Sequence, residues 1–131
     1  MDLEFHHVGV ACFDIEETCS FYEKMGYERS ETIIDTLQNI KICFLSNDHL
    51  PVIELLAPVD EKSPVNRILK SVGVSPYHFC YEVNDIETAI KEMRKEHFMI
   101  VSRPIPACAM ENKKVCFLYS KVVGLIELVE K

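Results

Sequence analysis

His7-Val8-Gly9-Val10-Ala11-Cys12-Phe13-Asp14-Ile15-Glu16 is matched 71 residues on by His78-Phe79-Cys80-Tyr81-Glu82-Val83-Asn84-Asp85-Ile86-Glu87. In both stretches a histidine inside an apolar run is followed seven positions later by Asp-Ile-Glu. A second pair of landmarks lies further along. Cys43-Phe44-Leu45 leads after ten positions, Phe to Glu, into Ile53-Glu54-Leu55, and Cys116-Phe117-Leu118 leads after ten into Ile126-Glu127-Leu128. One supersecondary unit has been used twice.

Working outward from the first histidine, residues 5–12 are rich in Val and aromatic side chains and read as a strand. Asp14 stands as an N-cap with Glu17 three residues on, so a helix is expected over 15–25, burying Ile15, Cys19, Tyr22 and Met25 and stopping at Gly26. Strands follow over 27–34, 39–46 and 51–57. The second half repeats this order, with a strand over 77–83, an N-cap at Asp85, a helix burying Ile86, Ile90 and Met93, and strands over 98–103, 113–119 and 124–130. Ser63-Pro64, an N-cap with proline at the first helical position, opens a short helix through Lys70 that ends before Gly73.

The expected architecture is α+β: one domain over 1–131, made of a βαβββ module (4–57), a helical connector (58–74) and a second module (75–130). Neither module closes its own sheet, because its last strand presents an open edge. Side by side they form a half-open mixed sheet around a cleft.

With 131 residues, 48% hydrophobic and 27% charged, the chain is long enough to bury a core and has no low-complexity stretch. A net charge of −7 argues against nucleic acid or anionic lipid as partner, since polyanions need a basic footprint. An anionic small molecule would need a local basic cluster, for which Arg103, Lys113, Lys114 and Lys121 are the candidates. No apolar run approaches a membrane span and the first residues lack the pattern of a signal peptide, so a cytoplasmic protein is expected. The six cysteines form no CxxC pair and are read as buried thiols without chemistry.

Alternation within strands places His7 on a face with Gly9 and Ala11, Glu54 with Val52 and Leu56, His78 with Cys80 and Glu82, and Glu127 with Leu125 and Val129. A carboxylate flanked by Val and Leu needs compensation, and the need arises at both Glu54 and Glu127. A divalent cation held by His7, Glu54, His78 and Glu127 supplies it. Two imidazoles and two carboxylates suit Ni²⁺, Co²⁺, Zn²⁺, Mn²⁺ or Fe²⁺, one ion per chain. His6 points to the face opposite His7, and His49 and His97 lie near loops.

The segments HHVGVACFDIEETCSFYEKMGY (6–27), IELLAP (53–58), DEKSPVNRIL (60–69), PYHFCYEVNDIETAI (76–90) and GLIELVE (124–130) resemble the vicinal-oxygen-chelate superfamily, which includes glyoxalase I, methylmalonyl-CoA epimerase, extradiol dioxygenases and bleomycin-resistance proteins. The resemblance runs over essentially the whole chain. It implies paired βαβββ modules (the glyoxalase-like fold) and puts the metal ligands on His7, Glu54, His78 and Glu127. Within the superfamily the chain looks most like the methylmalonyl-CoA epimerases, through IELLAP and the Ser-Pro linker helix. Glyoxalase I (lactoylglutathione lyase), acting on a thiol hemithioacetal, is the alternative, although its first-strand Arg falls here on Ala11. A ligand-sequestering protein of the bleomycin-resistance kind is a second alternative.

The resemblance further implies a metal-dependent isomerase or lyase that moves a proton at a carbon next to a carbonyl, with Glu127 and Glu54 as the catalytic bases and the histidines as ligands only. An acyl-CoA thioester or a hemithioacetal is the substrate class expected. Exposed strand edges make a homodimer the expected assembly.

Overall fold

A computed structural model describes all 131 residues, Met1–Lys131. It holds nine strands in mixed parallel and antiparallel pairing and three α-helices, so the fold is α+β. The chain divides into two compact units, His7–Tyr77 and His78–Lys131, the latter including Met1–His6.

In the first unit, β1 (Glu4–Ala11, of which His7 onward belongs here) leads into α1 (Ile15–Lys24). Asp14 starts that helix as the sequence predicts, its extended backbone turning in while its carboxylate accepts the Glu17 N–H at 2.9 Å. Gly26 follows with φ 99°, a left-handed conformation that costs a glycine nothing. β4 (Ile40–Asn47) and β5 (Leu50–Pro58) form a hairpin, and β5 returns parallel to β1 with Gly9 opposite Glu54. The order is β2-β4-β5-β1. α1 covers one face, where Val10, Cys12, Ile15, Cys19, Tyr27, Cys43, Leu45, Leu55 and Ala57 make the core.

The strand expected over 27–34 is two short ones, β2 (Glu28–Arg29) and β3 (Ile33–Asp35), both antiparallel to β4. Ser30 explains the break. Its backbone N–H reaches the Phe44 carbonyl at 2.8 Å, but its own hydroxyl, not a backbone carbonyl, takes the Phe44 N–H at 2.9 Å. A side chain has replaced one rung of the ladder, and the pairing with β4 shifts register across it. Arg29 is meanwhile drawn aside onto the Glu16 carboxylate of α1.

The connector helix α2 spans Val65–Val72, buries Val65 and Leu69 and lies against β5. Its start agrees with expectation in the backbone, since Pro64 has the helical dihedrals of an opening residue (φ −62°, ψ −22°), but the buried Ser63 hydroxyl makes no hydrogen bond, so the side chain does not cap the helix.

The second unit repeats the first. β6 (Ser75–Val83, from His78) is followed by α3 (Ile86–Lys95), whose N-cap Asp85 accepts the Thr88 N–H at 2.9 Å. Glu130 adds a second acceptor there, for the Ile86 N–H at 3.0 Å. β7 (Met99–Ala107), β8 (Lys113–Ser120) and β9 (Gly124–Glu130) complete the order β7-β8-β9-β6, with β9 parallel to β6. β7 runs four residues past the expected end at 103, through Pro104 and Pro106. It pairs only with β8, and an edge strand tolerates residues that cannot donate on their outer side. α3 covers a core of Val83, Ile86, Ala89, Ile90, Met93, Cys116, Leu118 and Leu128.

Five of the six cysteines are buried and all six are free thiols. Burial pushes the Cys116 thiol up to about 12, with a smaller push from the Glu127 carboxylate. Cys19, buried against Cys43 with the sulfurs 3.4 Å apart, is also raised to about 12.

Candidate metal centre

In each unit the helix takes one face of the sheet and the histidine and glutamate take the other. Register fixes this. Gly9 lies opposite Glu54 in the β1–β5 pair, and His7, two residues before Gly9, shares its face. Phe44 lies opposite Glu54 across the β4–β5 hairpin and joins them. In the second unit Cys80 and Phe117 both lie opposite Glu127, and His78 shares the face of Cys80.

The side chains meet accordingly. His7 Nε2 lies 3.3 Å from Glu54 Oε1, and His78 Nε2 lies 3.9 Å from a Glu127 carboxylate oxygen. All four residues are buried: His7 0%, Glu54 1%, His78 4% and Glu127 2% exposed. Each pair thus sets an imidazole nitrogen beside a carboxylate oxygen, both buried. Two ligands held about 2.1 Å from one ion stand roughly 3 to 4 Å apart, so both separations fit a shared divalent cation of the Zn²⁺, Co²⁺ or Ni²⁺ kind.

Behind each pair stands an aromatic ring. The His7 and Phe44 rings meet edge-to-face with centroids 5.5 Å apart and planes at 79°, and the His78 and Phe117 rings do so at 5.2 Å and 87°. The serine device also recurs, for the Ser102 hydroxyl accepts the Phe117 N–H at 3.0 Å as the Ser30 hydroxyl accepts that of Phe44. In the sequence Phe44 and Phe117 stand out only as markers of the repeat, and Ser30 and Ser102 do not stand out at all. The signal was present in the spacing, since the serines lie 72 residues apart and the phenylalanines 73.

Two of the four basic candidates are already paired. Lys113 Nζ lies 4.0 Å from Glu82, and Lys114 Nζ lies 3.8 Å from Glu130. Lys113 is on the Phe117 face of β8 and Lys114 on the helix-covered face. His49 and His97 are exposed, the latter with φ 66°.

Two units on one βαβββ plan, the second strand of the first being split into β2 and β3, each with a buried His–Glu pair on the face away from its helix, define the class. The chain belongs to the Glyoxalase/Bleomycin resistance protein/Dioxygenase superfamily, whose family pattern matches residues 6–117. Among its relatives, the mitochondrial methylmalonyl-CoA epimerase of Dictyostelium discoideum is 32% identical over 134 residues, covering 98% of this chain and 78% of its own length. The mitochondrial methylmalonyl-CoA epimerase of Homo sapiens is 29% identical, covering 94% of this chain and 71% of its own. The crystal structure of methylmalonyl-CoA epimerase from Mycobacterium tuberculosis superimposes with a TM-score of 0.85 at 26% identity, covering 96% of this chain and 86% of its own. That of a hypothetical protein from Bacillus halodurans C-125 does so with a TM-score of 0.88 at 27% identity, covering 100% and 96%. No helix is long and apolar enough to cross a membrane.

Proposed function

We propose that the protein is a metal-dependent epimerase of an acyl-CoA thioester, acting on methylmalonyl-CoA or a close analogue. The observation that carries this reading is the buried His–Glu pair present once in each unit, in a chain that aligns along nearly its whole length with epimerases. We propose further that His7, Glu54, His78 and Glu127 together hold one divalent ion. When bound, it would act as a Lewis acid toward the thioester carbonyl and lower the acidity barrier at the neighbouring carbon.

The chain's own residues do the rest. With one ring nitrogen spent on the ion and the other carrying its N–H, His7 and His78 would have no lone pair left to accept a proton, so they hold and orient. Glu54 and Glu127 are the groups able to accept a proton, and two bases of the same kind permit removal from one side of the α-carbon and return to the other, which is inversion. Burial keeps bulk water from competing for the carbanion. Arg103 and Lys121, which make no ion pair, are available to the phosphates of the acyl-CoA. The six free thiols fit a reducing compartment, and we place the protein in the cytoplasm, working as a homodimer.

Elemental analysis of the purified protein, followed by proton–deuterium exchange at the α-carbon of methylmalonyl-CoA, tests the reading. Near-stoichiometric metal with exchange supports it. Metal without exchange moves the substrate to a thiol hemithioacetal, and no affinity for any divalent ion sinks the enzyme in favour of a sequestering protein.

A further inference from the structure

Two rings and two hydroxyls take no part in the proton transfer, yet they repeat as faithfully as the donors. In each unit the order is the same. A serine hydroxyl takes the N–H of a phenylalanine, the phenylalanine ring stands edge-to-face against a histidine, and that histidine's Nε2 lies beside a glutamate. Both phenylalanines lie directly across the ladder from the glutamate of their pair. One ring therefore touches the imidazole and neighbours the carboxylate, flanking both donors.

An imidazole swings about two side-chain torsions, and burial among apolar groups does not choose between its orientations. An edge-to-face contact does, because the negative face of one ring attracts only the positive edge of the other. We propose that Phe44 and Phe117 are positioning residues for His7 and His78: each ring sets the rotation of the imidazole that aims Nε2 at the glutamate, and Ser30 and Ser102 hold the ring by fixing the backbone from which it extends. The inference rests on the metal-centre reading and deepens it. A ligand already pointed at its ion loses less freedom on binding, so the rings raise affinity without touching the metal.

The experiment compares the wild type with F44L and F117L, which keep apolar bulk but lose the ring, and with F44Y and F117Y, which restore it. Side-chain ¹⁵N–¹H spectra of the histidines in the metal-free protein give one readout, and calorimetric titration with Co²⁺ gives the other. F44L is expected to shift and broaden the His7 ring signals while leaving those of His78 in place, with F117L doing the reverse. The Co²⁺ affinity of each should fall roughly three- to tenfold, the range of one aromatic pair, and the tyrosines should recover it to within about twofold. A general loss of packing would disturb both histidines at once and would not be rescued by ring restoration alone. Should F44L leave the His7 signals as in the wild type, positioning is overturned whether or not metal binds. Absence of Co²⁺ uptake by the wild type would instead count against the metal centre itself, with the imidazole spectra still deciding the role of the rings.

Discussion

Replacing Ser30 or Ser102 by alanine removes one oxygen from the fold, and the cost can be worked from its geometry. The Ser30 hydroxyl accepts the Phe44 N–H at 2.9 Å and the Ser102 hydroxyl accepts that of Phe117 at 3.0 Å, both in partly buried surroundings. Alanine leaves that amide facing a methyl group. A buried donor stripped of its acceptor loses about 1 to 3 kcal/mol, and partial access of water to these sites places the expected loss in the lower half, about 1 to 2 kcal/mol for each variant. For a domain of this size that is a fall of roughly 3 to 8 °C in melting midpoint. The two hydroxyls share no partner, so the losses in S30A/S102A should add. Urea unfolding followed by circular dichroism, with the slope unchanged, measures them. Serine-to-threonine variants retain the oxygen and should stay close to wild type. A loss below about 0.5 kcal/mol in both alanine variants would show that the amides find other acceptors, and the account of why β2 breaks at Ser30 would fall with it.

Other expectations are open to the same preparations. H7A and H78A should each lower bound metal and turnover together, whereas E127Q should retain a folded protein and lose turnover about 100-fold or more; full activity in E127Q would remove Glu127 as a base. The Asp85 carboxyl is held below its ordinary range, chiefly by the Thr88 N–H. Its contribution to stability is therefore present above the unfolded carboxylate range and fades as pH falls through the lower folded value. D85N should flatten the acid limb of a stability–pH curve, and an unchanged limb would refute this. Burial and raised pKa values protect the thiols at Cys12, Cys19 and Cys116, so a thiol-reactive disulfide reagent at pH 8 should label one cysteine fast, the exposed Cys108, and the others only after denaturation.

The two His–Glu pairs were legible because residue type and spacing, which His7, Glu54, His78 and Glu127 keep through the repeat, decide which strand residues come side by side. Helix starts at Asp14 and Asp85 were legible for a similar reason, a cap being a local contact between residues three apart. What periodicity could not see was any place where a side chain does the job of a backbone. Ser30 takes over a rung and shifts the register beside β2, yet its alternation with its neighbours looks like that of an ordinary strand residue. Ser63 differed in the opposite direction: the Ser-Pro pattern gave the helical proline it promised, but the serine hydroxyl was left without the capping bond. The extension of β7 through two prolines depends on its being an edge, which is a fact of topology and not of local sequence.

The two hairpins reach the same end by different routes. Phe44 and Glu54 are ten positions apart, as are Phe117 and Glu127, and both couples stand directly opposite. In β8–β9 the ladder runs unbroken to Ser120 opposite Gly124, leaving a three-residue turn. In β4–β5 the last pair is Asn47 opposite Leu50, a two-residue turn, and the odd residue is absorbed in an irregularity between Leu45 and Asn47. Strand faces alternate with every residue, so chain length around each turn acts as a parity gauge. Deleting one residue from the turn at 121–123, or straightening the bulge at Ser46 without lengthening the turn beside it, would rotate a phenylalanine away from its glutamate while every donor stayed in the sequence. Loops that look free to drift in length are, in this protein, part of the ruler that aligns its chemistry.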